Sequence, residues 1–185
     1  FNNIAIGNSA LNCNSSGNDN IAIGCRSLNS LTSGNRNVGI GYASIRSNTT
    51  GLDNVGIGFF ALCFNTIGAN NVSIGAQSSK CNTTGNNNVA IGQMALANNT
   101  IGSNNVSIGA CTLRNTTTGA CNIAIGPMAL FGLTTGYHNI GMGQDALRCL
   151  GCGQCNVAIG RLAGRSIVGP GRGNTLIGDS AGCNT

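Results

Sequence analysis

The chain has no tryptophan and no glutamate, two prolines, one histidine, and only 7% charged and 4% aromatic residues. So little charge leaves little material for amphipathic helices, whose solvent faces are built from charged residues. A single histidine, His138, means that no Ser-His or Cys-His pair can recur or be supported elsewhere. His138 reads as a surface residue, ionisable groups nowhere cluster, and neither an enzyme nor a cofactor is predicted. No apolar run approaches the roughly 18 residues of a membrane-spanning helix, and no signal-peptide pattern is visible. Disorder is disfavoured too, because low charge goes with 41% hydrophobic residues. The net charge of +5, from eight Arg and Lys80 against four Asp, is scattered. Dedicated nucleic-acid binding needs a clustered basic face with aromatic platforms, so no nucleic-acid partner is expected.

What the chain has in excess is glycine, 30 residues, and a repeated phrase of the form "NNVAIG" (87–92). Its closing glycines, Gly7, Gly24, Gly41, Gly58, Gly75, Gly92, Gly109, Gly126, Gly143 and Gly160, are each 17 residues apart. A one-residue insertion within 161–173, near "VGPGRG", moves the eleventh to Gly178. Strict self-similarity at a short period is the signature of stacked repeats. Residues 1–185 are therefore read as one repeat domain. It starts and stops in mid-repeat, at Phe1 and at "CNT" (183–185), which suggests a segment of a longer chain.

Taking the closing glycine as position 0, position 10 is again glycine, and position 13 is asparagine in every copy: Asn3, Asn20, Asn37, Asn54, Asn71, Asn88, Asn105, Asn122, Asn139, Asn156 and Asn174. Positions 14 and 16 are Val or Ile, with Met142 and Thr175 the exceptions, which is β-strand patterning. A second short strand is expected over positions 1–5, as in "QMALA" (93–97), where position 4 is mostly Leu or Ile. Turns such as "NTTG" (82–85) follow, rich in the residues of local hydrogen bonding and positive φ. The predicted fold is all-β: a parallel β-solenoid of eleven 17-residue coils, two short strands per coil. Stacking at about 4.8 Å gives a rod about 50 Å long. The position-13 asparagines would then form an amide ladder.

Position 15 admits only small residues for ten coils: Ala5, Ala22, Gly39, Gly56, Ser73, Ala90, Ser107, Ala124, Gly141 and Ala158, before Leu176 breaks the series. Something packs closely against that face. Either it lines a narrow interior while Val and Ile meet a partner chain, or the reverse holds. At position 5, Arg46, Lys80, Arg114 and Arg148 recur every 34 residues. Like charges one coil apart repel, and two coils apart, at about 9.6 Å, they can stay hydrated. The column is either electrostatic spacing on a solvated edge or a cationic stripe for an anionic receptor.

Ten cysteines suggest an oxidising, extracellular setting. Cys63 and Cys81 fall at positions 5 and 6 of adjacent coils and are the candidate disulfide. "CLGCGQC" (149–155) has metal-like spacing but lacks a fourth ligand, so disulfides or free thiols are preferred and no metal is predicted. Glycine-rich phrases recur as corners without a "GK[ST]", and four aspartates cannot furnish calcium-binding nonapeptides. Sequons at Asn14, Asn48, Asn82, Asn98 and Asn115 are candidate glycan sites.

With the units aligned, "NNVAIGQMAL", "DNIAIGCRSL" and "CNIAIGPMAL" resemble the head repeats of trimeric autotransporter adhesins and related repeats of phage tail fibres. The resemblance implies a parallel β-roll, three chains around an axis, and a role in attachment. This unit is longer than that family's and carries more cysteine. The expected function is a homo-oligomeric shaft of an extracellular, cell-surface or virion fibre, reinforced by disulfides. The alternative is an adhesin that binds a receptor or glycan through its solvated edge. Ice binding ranks last, because threonine falls in irregular turns rather than in a regular Thr-x-Thr ladder.

Overall fold

A computed structural model describes residues 2–183, so Phe1 and the last two residues of the "CNT" phrase lie outside the described part. The chain is an all-β solenoid. Eleven three-residue strands, from β1 (Ile4–Ile6) to β11 (Thr175–Ile177), pair in chain order into one parallel sheet. Pairing is in phase with the repeat: Val89 lies between Val72 and Val106, and Ala90 between Ser73 and Ser107. Every repeat position therefore becomes a column running the length of the rod.

Among the described residues only one strand forms per coil. The expected second strand is instead a pair of tight turns, with the Ala95 N–H donating to the Gly92 carbonyl (3.2 Å) and the Asn99 N–H to that of Leu96 (3.2 Å). Positions 2 and 4 adopt left-handed backbone without glycine, with φ of 54° at Met94 and 53° at Leu96. Side chains then cannot alternate as in a strand, and neighbours Ala95 and Leu96 are both fully buried. Peptide bonding between coils nevertheless continues, from the Leu96 N–H to the Thr112 carbonyl (2.9 Å) and from Asn98 to Arg114 (3.1 Å).

The two glycine columns serve different needs. At position 0 the requirement is conformational: Gly92 has φ of 132°, a region closed to side chains. At position 10 it is space: a Cβ on Gly85 would collide with the Gly102 carbonyl oxygen and the Asn82 side chain.

The interior is one side chain deep. Position 15 points inward, and Val or Ile at 14 and 16 point out, as in Val72–Ile74, where the middle residue is buried and its neighbours half-exposed. A Cβ on Gly56 would lie 2.5 Å from Ile45 Cγ1 and 2.8 Å from Ser44 Oγ, so small residues from the strand wall meet positions 3 and 4 of the turn wall. Ala5 alone of the small series is exposed, in the first rung. Leu176 fits because the position-4 residues beside it are glycines: a Cβ on Gly164 or Gly182 would come within 2.9 and 2.8 Å of its methyl carbons. The apolar core divides in two, Leu28, Ile45 and Leu62 in one part and Leu96, Leu113, Leu130 and Leu147 in the other. The break is a polar rung, where Ser73 donates to Ser78 (2.8 Å) and Ser79 occupies the leucine position. Coil register stays at 17 through the Cys149–Arg165 contact and is 18 by the Gln154–Arg172 bridge, so the inserted residue is absorbed between Arg165 and Gly171.

Candidate functional site

The position-13 asparagines are tied into a continuous amide column. Asn88 Nδ2 donates back to Asn71 Oδ1 (3.1 Å) and forward to the Gly102 carbonyl (2.8 Å), and the Asn88 backbone N–H also reaches Asn71 Oδ1 (3.0 Å). Each side chain thus spans three coils with its amide protons and one carbonyl oxygen satisfied. The column runs from Asn3 to Asn174.

A second amide column stands at position 7, across the same turn. Asn65 donates to Asn48 Oδ1 (3.0 Å), Asn82 to Asn65 (2.8 Å) and Asn99 to Asn82 (2.8 Å). It ends at Asn99, whose Oδ1 is buried without a donor, because the next rung is Thr116. Three expected glycan sites share position 7, Asn14, Asn48 and Asn82, and the last two belong to this buried run. Asn48 and Asn82 are fully buried, and a glycan on either is incompatible with the folded coil. Asn14 holds the Gly17 turn from both amide atoms (3.0 Å each), Asn98 is exposed and Asn115 half-exposed.

Threonine is more regular than the sequence suggested. Thr32, Thr49, Thr66, Thr83, Thr100, Thr117 and Thr134 share position 8 and form one column. Each hydroxyl donates to the next coil's carbonyl, as Thr83 Oγ1 does to Thr100 (2.9 Å), which commits its proton within the rod. Both columns could have been found by aligning positions 7 and 8 down the chain. Leu31, Leu133 and Leu150 interrupt the amide run and hide it from a motif search.

The cations of position 5 stand half-exposed on the turn wall, opposite the strand wall. Aromatic rings lie between them. Phe64 faces Arg46 (5.6 Å from the ring centroid) and Lys80 (6.0 Å), and Phe131 faces Arg114 and Arg148 (5.9 Å each). Lys80 also reaches Phe60 (5.8 Å), which packs edge-on against Tyr42 and Phe59. Among the described residues Arg148 alone of the four has a carboxylate nearby, Asp145 at 3.3 Å. That Asp145 oxygen accepts no directed hydrogen bond, so the contact is Coulombic in character.

Cys63 and Cys81 do not form a disulfide; both are free thiols. In-phase stacking places Cys63 over Arg46 and Lys80, while Cys81 follows Phe64 in the next column. Burial pushes the Cys63 thiol up, against the pull of the Arg46 and Lys80 charges. Cys149, Cys152 and Cys155 are free and exposed. His138 is exposed at position 12, edge-on to Tyr137. In the same column Arg36 grips Asp53 through two bonds (2.6 and 2.8 Å), which holds the Asp53 carboxyl below its ordinary range and the guanidinium above its own.

The chain matches no family model, curated protein or solved structure. Its functional reading rests on these surfaces. Among the described residues there is no cavity and no group of three metal-ligating side chains. What the rod offers is length, two outward walls of different chemistry, and exposed thiols. On the strand wall the exposed apolar residues include Ile91, Ile123 and Ile159, and Val and Ile of the other rungs are half-exposed.

Proposed function

We propose that this chain is a structural shaft: a repeat segment of an extracellular, cell-surface or virion fibre, assembled from copies of itself. The observation that carries this reading is the outward strand wall. Two adjacent columns of Val and Ile run its whole length, and a soluble monomer rarely leaves so long an apolar stripe to water. Nothing in the stripe offers chemistry beyond packing, and its chemical partner is another stripe of the same kind. Side-by-side association of copies, three in the arrangement that the adhesin-head resemblance implies, covers it. Exposed Cys149, Cys152 and Cys155 would then link neighbouring rods in an oxidising medium.

Solution mass by light scattering, with and without reductant, tests the proposal. A discrete oligomer that survives reductant is the expected result. A monomer under both conditions overturns it, and an oligomer lost on reduction transfers the association from the apolar wall to the thiols.

A further inference from the structure

The position-5 column supports an interaction independent of the apolar wall. Four cations recur at strict two-coil intervals, and in-phase stacking converts that into a spacing of about 9.6 Å over about 29 Å of rod. Three of the four charges are not spent on a carboxylate of the described residues, Arg148 beside Asp145 being the exception. Among the described residues Arg46, Lys80 and Arg114 have no carboxylate partner, whereas Arg36 and Arg161, elsewhere on the surface, are paired with Asp53 and Asp179.

The residues between the cations matter equally. Phe131 lies in the column between Arg114 and Arg148, and Phe64, one position to the side of Cys63, faces both Arg46 and Lys80, so two cation–ring–cation clamps follow one another along the rod, with Ala97 marking the gap. Aromatics are only 4% of the chain, yet Tyr42, Phe59, Phe60 and Phe64 gather beside the first clamp, and Tyr42, Phe59 and Phe64 are exposed. Hydrophobic burial does not account for rings left in water. A ring flanked by cations suits a flat ligand unit with an apolar face, carried on a chain whose charges fall on either side.

We infer that the turn wall binds a linear acidic polysaccharide in which a charged sugar alternates with a neutral one. Carboxylates or sulfates of the charged sugars meet Arg46, Lys80, Arg114 and Arg148, and the neutral sugars lie on Phe64 and Phe131. One disaccharide is about as long as two coils, so the charges stay in register along the rod. Nucleic acid fits this column less well: its phosphates recur at about 3.4 Å per strand, and a cation every 9.6 Å or so would leave most of them unmatched.

The test is titration of the full chain with a hyaluronan octasaccharide, in which each charged glucuronate alternates with a neutral N-acetylglucosamine, followed by calorimetry at low and physiological salt. Oligo(dT) and dextran sulfate are the comparison ligands. Two quadruple variants share the same net charge: R46Q/K80Q/R114Q/R148Q in the column, and R26Q/R36Q/R161Q/R172Q outside it. Circular dichroism and thermal melting establish that both remain folded. The column variant should lose at least about tenfold in affinity, and the off-column variant should stay within about twofold. F64A/F131A, which keeps every charge, should also weaken the octasaccharide. Absence of octasaccharide binding, equal loss in both quadruple variants, or tighter binding of oligo(dT) or dextran sulfate would each overturn the assignment. If the column variant fails to melt cooperatively, R46Q/R114Q, which keeps two of the four cations, replaces it with the same criteria. Because the apolar wall is untouched, the outcome is independent of the oligomeric state.

Discussion

At the residue scale, the fold depends on side chains that imitate backbone. Asn88 supplies two donors and one acceptor to neighbouring coils, and none of these groups has access to water. Asn88→Leu should therefore cost about 3 kcal/mol or more in chemical denaturation, since it leaves the Gly102 carbonyl and the Asn105 donors without partners, each worth about 1–3 kcal/mol. Loss under 1 kcal/mol would mean that the column contributes little beyond packing. A surface ion pair behaves differently. Asp53 is held low by Arg36, so its contribution is present above the ordinary carboxylate pKa and disappears as pH falls through the lowered value. In an NMR titration of Arg36→Gln, the Asp53 midpoint should rise toward that of a free carboxylate. An unchanged midpoint would assign the shift to some other group.

At the scale of the element, one rung departs from the rest. Ser79 occupies the position filled by Leu62 and Leu96 on either side, its hydroxyl is buried without a partner, and the apolar core divides there. Because neighbouring coils accept leucine in the same backbone conformation, Ser79→Leu should join the two halves. It should raise stability by about 1–3 kcal/mol, from apolar burial and removal of the orphaned hydroxyl. A lower melting temperature would show that the serine rung is too narrow for the larger side chain. The turn segment also marks the limit of sequence reading. Glycine spacing and the Asn-Val-x-Ile alternation made the coil, its period and the paired strand legible. The second strand was misassigned, because left-handed residues such as Met94 and Leu96 carry no compositional sign when glycine is absent. Isoleucine nevertheless enters this conformation, since Ile45 holds the same position at φ of 48° and is fully buried. Leu96→Ile should therefore cost under about 1.5 kcal/mol, as a volume-conserving core swap does, and a larger loss in chemical denaturation would show that the coil around Ile45 is specially shaped for the branched side chain.

At the scale of the whole molecule, alternation at positions 14–16 could not say which face was inside. Both faces are uncharged, and only the depth of the coil decides: leucine from the turn wall fills the interior, leaving room for Ala, Gly or Ser opposite and turning Val and Ile outward. The same geometry permits a clean assault on assembly. Val38, Val72 and Val106 sit in one outward column, half-exposed and two coils apart. Lysine at all three reproduces the spacing at which position 5 already tolerates cations, so mutual repulsion stays small and the coil should remain folded. If copies associate through this wall, V38K/V72K/V106K should sediment as a monomer while melting within a few degrees of the parent rod. An unchanged sedimentation coefficient would place the contact on another face, and the turn wall with its cation column would be the next surface to test.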